Sequence, residues 1–154
     1  MDKISQLEQV FARNPQSPVF TLLASCYYKK RLYKNAVQVC QVGLKNDPHN
    51  IPGQYILVKL LLIKGELLLA EKFLKNIIYE QPHQLNALLL LISVMQKLKR
   101  SKKNIISYIS IGAEFYPSHN LVQQYYTKYC IVRPIKRTKR GQHISLPAKS
   151  NFLF

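Results

Sequence analysis

Asn46-Asp47-Pro48-His49-Asn50, Glu80-Gln81-Pro82-His83-Gln84 and Phe115-Tyr116-Pro117-Ser118-His119-Asn120 share one pattern, a proline followed by polar residues. The three prolines are 34 and 35 residues apart, and Pro15 lies 33 residues before the first of them. Proline ends a helix because it lacks an N–H donor, and the polar residues that follow favour a new helix start. The sequence therefore predicts a repeated helical unit of about 34 residues.

Superimposing the units brings side chains of similar character together at matching positions. Four columns of the first helix are spaced as i, i+3, i+4 and i+7, which places them on one helix face. They are Phe20, Gln54 and Leu88; Leu23, Leu57 and Leu91; Ala24, Val58 and Ile92; and Tyr27, Leu61 and Met95. Three columns of the second helix are Ala36, Ala70 and Ile105; Cys40, Leu74 and Ile109; and Gly43, Ile77 and Gly112. Each unit is thus predicted to be a pair of packed helices.

The order of these residues resembles the tetratricopeptide repeat, in which an aromatic residue, Leu, a small residue and Tyr precede a second-helix Ala and a final Pro. The residues that carry the resemblance best are Phe20, Leu23, Ala24, Tyr27, Ala36 and Pro48. The second repeat departs from the pattern at Gln54, and the third has one inserted residue between Lys97 and Lys103. The resemblance covers residues 17 to 117. It implies an all-α fold, a right-handed α-solenoid of antiparallel helix pairs.

The domain organisation follows from this period. Repeats are expected at about 17–50, 51–84 and 85–119, with capping helices at 2–13 and 119–131, which gives eight helices in all. Residues 132–154 are basic, lack acidic side chains and show no helical period, so we expect a disordered tail. The first residues have no signal-peptide pattern and no apolar run approaches the roughly 20 residues of a membrane span, which favours a cytoplasmic protein.

The charge of the chain is unusual, because 23 Lys and Arg against 7 Asp and Glu give a net charge of +16. Such an excess bears on binding partners and solubility, not on the fold. The abundance of Lys, Asn, Ile and Tyr is also typical of an AT-rich genome, which would raise the lysine content without any functional pressure. Both explanations of the charge stay open at this stage.

Catalytic and metal-binding constellations are not found in the sequence. The seven acidic residues are scattered, and the cysteines Cys26, Cys40 and Cys130 lie in apolar helical stretches without metal-ligand spacing, as expected of buried reduced thiols. His49, His83 and His119 recur in successive repeats, about 20 Å apart by helix diameter, which favours a turn-capping role. The sequence therefore predicts no enzymatic activity, no cofactor and no metal.

A peptide-binding groove is the site that the resemblance implies, because first helices of successive repeats line a concave surface in this family. The residues carried over to this groove are Thr21, Ser25, Tyr28, Lys29, Tyr55, Lys59, Leu62, Leu89, Ser93, Gln96, Lys97, Val122 and Tyr126. Tyrosines interleaved with lysines suit an extended or helical peptide that carries acidic groups. The Lys, Asn and Arg set with which some relatives grip a C-terminal carboxylate is incomplete here, so that mode is not predicted.

A second candidate surface is a basic edge formed by the turns within the repeats and by the tail. Its residues are Lys30, Arg31, Lys99, Arg100, Lys102, Lys103, Lys136, Arg137, Lys139 and Arg140. Clustered cations of this kind bind RNA or an anionic membrane face, although a charge run is more often only a solvated edge. The leading hypothesis is accordingly a non-enzymatic scaffold, adaptor or assembly chaperone for a protein partner. The alternative is an RNA- or ribosome-associated protein that uses the basic edge and tail.

Overall fold

The computed structural model describes residues 2–131 of the chain, and these residues form eight α-helices and no strand, with 78% of them helical. The helices are α1 (Lys3–Arg13), α2 (Val19–Lys29), α3 (Tyr33–Asn46), α4 (Ile51–Lys64), α5 (Leu67–Glu80), α6 (Leu85–Lys97), α7 (Lys102–Phe115) and α8 (Asn120–Tyr129). The all-α architecture and the number of helices predicted from the repeat are confirmed. The predicted tail, 132–154, lies outside the described residues.

The chain divides into two compact units. The first ends at Lys99 and contains α1 to α6, and the second begins at Arg100 and contains α7 and α8. Within the first unit each helix packs on the next one in the chain, and α2 also packs on α4, the first helix of the following repeat. Within the second unit α7 packs on α8. Pairwise packing of successive helices is the arrangement expected of a helical repeat.

The columns read from the sequence are the core of these units. All twelve first-helix positions and all nine second-helix positions are buried, including Ala36 and Ala70, which have no exposed surface. Small residues at those two positions allow close approach of neighbouring helices. Two apolar side chains of the capping helices are exposed, Val10 in α1 and Leu121 in α8.

Phe20 fills a space that two glycines create. Its ring is almost fully buried, and a methyl group at Gly43 of α3 or at Gly53 of α4 would overlap ring atoms. Phe20 therefore packs closely against the second helix of its own repeat and against the first helix of the next. In the second repeat Gln54 stands at the position of Phe20 and Ile77 at the position of Gly43. There a smaller residue on the first helix accompanies a larger residue on the second helix.

Gln54 is buried to 2% exposure in a column where an aromatic residue is expected, and hydrogen bonds explain why it is tolerated. Its amide nitrogen donates to the carbonyl oxygen of Pro48 over 2.6 Å, and its amide oxygen accepts from Asn76 over 3.0 Å. A buried polar group whose donors and acceptors are paired carries little penalty. The amide thus joins the turn before α4 to α5.

The turns within the first-unit repeats share a left-handed residue. Arg31, Gly65 and Lys99 have φ angles of 60°, 78° and 52° and are spaced by 34 residues. In the first two turns the next amide donates to a carbonyl five residues back, Leu32 to Tyr27 and Glu66 to Leu61, which is the Schellman arrangement. Glycine is the residue that this conformation favours, and only the middle turn has it.

Helix α1 is held on α2 by polar contacts at two levels. The Tyr27 hydroxyl donates to the Glu8 carboxylate, and Lys30 pairs with Asp2 over 3.2 Å. Burial and the adjacent Glu8 raise the pKa of Tyr27, so the phenol stays protonated and remains a donor. The ion pair places the N-terminus of α1 beside the α2–α3 turn.

Candidate binding groove

The groove predicted from the first helices has a consistent exposure pattern in the first unit. Nine of its positions, three in each of α2, α4 and α6, are all partly exposed, whereas the core columns beside them are all buried. The nine positions are Thr21, Tyr55 and Leu89; Ser25, Lys59 and Ser93; and Tyr28, Leu62 and Gln96. Partial exposure leaves each of these side chains accessible to a ligand. Lys29 and Lys97, at the helix ends, are exposed.

Lys59 lies at the centre of this surface, between two tyrosine rings. Its ammonium nitrogen is 5.3 Å from the ring centroid of Tyr28 on α2 and 5.0 Å from that of Tyr55 on α4. Both distances are within the range of a cation–π interaction. Among residues 2–131 no carboxylate pairs with Lys59. The rings therefore hold a positive charge in place on a partly exposed surface.

The aromatic residues around Lys59 continue onto α3. The ring of Tyr33 lies 5.9 Å from that of Tyr28 and is tilted by 57° to it, a geometry common for interacting aromatic pairs. Burial, followed by the nearby Tyr28, raises the pKa of Tyr55, so its hydroxyl is a hydrogen-bond donor at neutral pH. The serines of the same column, Ser25 and Ser93, flank Lys59 one repeat away on either side. This surface offers a cation, hydroxyl groups and flat aromatic area together.

The two remaining groove predictions, Val122 and Tyr126, belong to the second unit. Val122 is buried, so its side chain contributes mainly to packing between α7 and α8, whereas Tyr126 is partly exposed. Both contact a small pocket of about 240 Å³ whose other lining residues are Ala113, Pro117, Gln123 and Thr127. These residues form a local site of the second unit.

The residues of the predicted basic edge are all exposed where the structure describes them. The turns of the first unit contain Lys30, Arg31 and Lys99. The first residues of the second unit include Arg100, Lys102 and Lys103. The four tail residues Lys136, Arg137, Lys139 and Arg140 lie outside the described residues. The left-handed conformations of Arg31 and Lys99 were not predicted from the sequence, because their side chains do not favour that conformation.

Other predicted features have mixed outcomes. His49 does not cap a helix, because Asn50 is the α4 N-cap and accepts from the Gly53 amide, while His49 contacts Glu80 over 3.5 Å. His119 occupies the α8 N-cap position without a side-chain capping bond. Cys40 and Cys130 are buried, but Cys26 is partly exposed, contrary to the prediction for all three.

Neither metal-binding clusters nor membrane spans are found in the described part of the chain. Residues 2–131 contain no group of three or more His, Cys, Asp or Glu side chains positioned to hold a metal ion. No helix among them combines the length and the apolar character that crossing a bilayer requires.

Comparison with solved structures shows the fold. The chain superimposes on MamA with a TM-score of 0.71 at 17% identity, covering 82% of this chain and 74% of MamA. It also superimposes on YrrB, described as a TPR protein with an unusual peptide-binding site, with a TM-score of 0.67 at 13% identity, covering 77% of this chain and 62% of YrrB. No family model and no curated protein matches the sequence. The fold is therefore that of tetratricopeptide-repeat proteins.

Proposed function

We propose that this protein is a non-enzymatic interaction scaffold that binds an extended, acidic segment of a partner protein in the groove of α2, α4 and α6. The observation that carries the proposal is the Lys59 ammonium, set between Tyr28 and Tyr55 without a carboxylate partner among the described residues. The likeness in fold to YrrB, a TPR protein with a peptide-binding site, supports the same function.

The chemistry of the groove favours an acidic ligand. A partner carboxylate that reaches Lys59 forms a charge-assisted hydrogen bond, which is about twice as strong as a neutral one. The ring faces of Tyr28 and Tyr55 restrict the ammonium, so less side-chain entropy is lost when the ion pair forms. The serines and Tyr55 hydroxyl add neutral hydrogen-bonding positions on either side. An acidic side chain with polar or aromatic neighbours is the segment that fits best.

An adaptor or assembly chaperone in the cytoplasm is the role that such a groove would serve. Recognition of short peptide segments does not require a catalytic group. The groove offers a cation, hydroxyl groups and aromatic surface, and these suffice for binding. The partner side chains would bind between the repeats, where rigid helices set the spacing of the contacts.

Selection from a random peptide library against the full chain tests this function. We expect selected peptides to be enriched in Asp and Glu, and their affinity to fall about tenfold or more in Lys59→Met and in Tyr55→Ala. The matched controls are Lys72→Met and Tyr79→Ala on α5, which remove the same side-chain types at exposed positions away from α2, α4 and α6. Fluorescence anisotropy with one selected peptide gives the four affinities.

The controls decide between the groove and nonspecific attraction. If Lys72→Met weakens the peptide as much as Lys59→Met, binding follows net charge and the groove is not the site. The proposal would also be contradicted if the selected peptides bound Tyr55→Ala and Lys59→Met with the same affinity as the unchanged protein. Circular dichroism of each variant shows whether the helices are intact.

A further inference from the structure

The positive charge of the first unit is concentrated on one of its edges. We call this edge the turn edge. It comprises the N-terminus of α1, the α2–α3 and α4–α5 turns and the C-terminus of α6. The ion pair between Lys30 and Asp2 joins the N-terminus of α1 to the α2–α3 turn. It carries eight basic residues against two acidic ones: Lys3, Lys29, Lys30, Arg31, Lys34, Lys64, Lys97 and Lys99 against Asp2 and Glu66. The opposite ends of the helices carry two of each: Arg13 and Lys45 against Asp47 and Glu80.

This asymmetry is not what genome composition produces. A general excess of lysine codons would raise the basic count at both ends of the helices, but the opposite edge is balanced. Both acidic residues of the turn edge are paired with lysines of the same edge, Asp2 with Lys30 and Glu66 with Lys64. The six other cations have no carboxylate partner among residues 2–131.

Backbone conformation gives a second, independent sign that these charges are selected. Arg31 and Lys99 occupy left-handed positions where glycine is favoured, and the equivalent residue of the middle turn is Gly65. Non-glycine residues in sparsely populated conformations cluster at functional sites. Two of the three turn tips therefore keep a cation at a conformational cost.

Exposed aliphatic side chains accompany the cations on the same edge. Leu32 in the first turn is 46% exposed, and Ile63 and Leu68 in the middle turn are 49% and 65% exposed. Leu69, beside Leu68, is exposed as well. The middle turn is thus mainly aliphatic, and the turns on both sides of it carry basic residues.

We propose that the turn edge is a docking surface for an anionic lipid membrane, with the aliphatic tips entering the headgroup region and the cations pairing with lipid phosphates. Basic residues near an anionic surface and apolar side chains buried in the interface both add to such binding. RNA fits less well, because single-stranded bases stack on aromatic side chains. The aromatic residue that the described turns offer is Tyr33, which is partly buried and packed on Tyr28.

Co-sedimentation of the full chain with vesicles tests the proposal. We expect binding to phosphatidylcholine vesicles containing about 30% phosphatidylglycerol and weak binding to phosphatidylcholine alone. Arg31→Glu with Lys99→Glu should lower the partition coefficient about tenfold or more. The matched control is Arg13→Glu with Lys45→Glu, which changes the net charge equally on the opposite edge and should have little effect.

Two further variants separate membrane docking from its rivals. Leu32→Ser with Leu68→Ser removes apolar contacts but no charge, and we expect it also to weaken vesicle binding about tenfold. Arg31→Gly with Lys99→Gly removes the cations and relieves the backbone strain, so binding should fall although the fold is no less stable. Circular dichroism and thermal unfolding of this variant show whether its helices are intact, so that lost binding can be assigned to the missing cations.

Three outcomes would overturn the proposal. The first is equal vesicle binding by the Arg31→Glu, Lys99→Glu pair and by its control, which would assign binding to net charge or to residues 132–154. The second is unchanged vesicle binding in the leucine variant together with displacement by poly(U) RNA, which would assign the edge to RNA. The third is no preference for anionic vesicles at all.

Discussion

Replacing Gly43 with alanine tests the packing of Phe20 directly, because a methyl group at this position overlaps the Phe20 ring. Alanine is favoured over glycine in a helix by about 1 kcal/mol. Overpacking of a buried site costs about 1 to 3 kcal/mol, and Gly53 on the far side of the ring leaves it no room to retreat. The difference between these two effects is an expected fall of up to about 2 kcal/mol in the free energy of unfolding of Gly43→Ala.

The same substitution should no longer destabilise the protein once the ring is absent. In a Phe20→Leu background the methyl group enters vacated space, so Gly43→Ala should be neutral or stabilising by up to about 1 kcal/mol. The coupling between the two sites is then about 1 to 3 kcal/mol, which exceeds the scatter of about 0.3 to 0.5 kcal/mol seen for independent sites. Urea unfolding followed by circular dichroism gives all four free energies, provided that the slopes agree.

Gly65→Ala is the control for this cycle. No atom lies within 4 Å of a methyl group there, and φ is 78°, so its cost of about 1 kcal/mol is conformational and should not depend on Phe20. Equal effects of Gly43→Ala in both backgrounds, or a more stable single variant, would refute the packing argument.

Two further predictions concern buried polar groups. Asn76→Ala should destabilise the protein by about 1 to 3 kcal/mol by leaving the buried Gln54 amide oxygen unpaired, and Gln54→Leu combined with Asn76→Ala should recover part of that loss in thermal unfolding. Burial raises the pKa of the Cys40 thiol to about 12 from an ordinary value of 9.0. The folded state thus resists ionisation of Cys40, so stability should fall as pH rises from about 9 towards 12, and Cys40→Ala should show a smaller fall over that range in urea titrations. A parallel pH response of the two proteins would contradict the assignment to Cys40.

The core could be read from the sequence because burial follows the repeat period. Leu23, Leu57 and Leu91 recur every 34 residues on one helix face, and a helix pair can bury that face only against its neighbours. The partial exposure of the groove positions follows from the same register. Whether a peptide binds there is a proposal, since neither the period nor the exposure of Tyr28 specifies a ligand.

Features that depend on two distant segments could not be predicted in this way. The hydrogen bond between Gln54 and Asn76 spans 22 residues, and the contact of Lys59 with Tyr28 joins two repeats. No local sequence pattern predicts either contact. The left-handed conformations of Arg31 and Lys99 were missed for a different reason. Their side chains favour a helical backbone. Only the presence of Gly65 at the same position of the middle repeat indicates a left-handed conformation.

The position of Phe20 also bears on how the first unit unfolds. Stability of a repeat protein is the sum of intrinsic terms for each repeat and coupling terms between neighbours. Because the Phe20 ring contacts Gly43 in its own repeat and Gly53 in the next, one side chain contributes to both kinds of term. Loss of α4 would leave that ring half uncovered, so fraying that starts in the second repeat should carry the first repeat with it. We therefore expect the two repeats to unfold as one cooperative segment, so that partly unfolded species that keep only one of them are scarce.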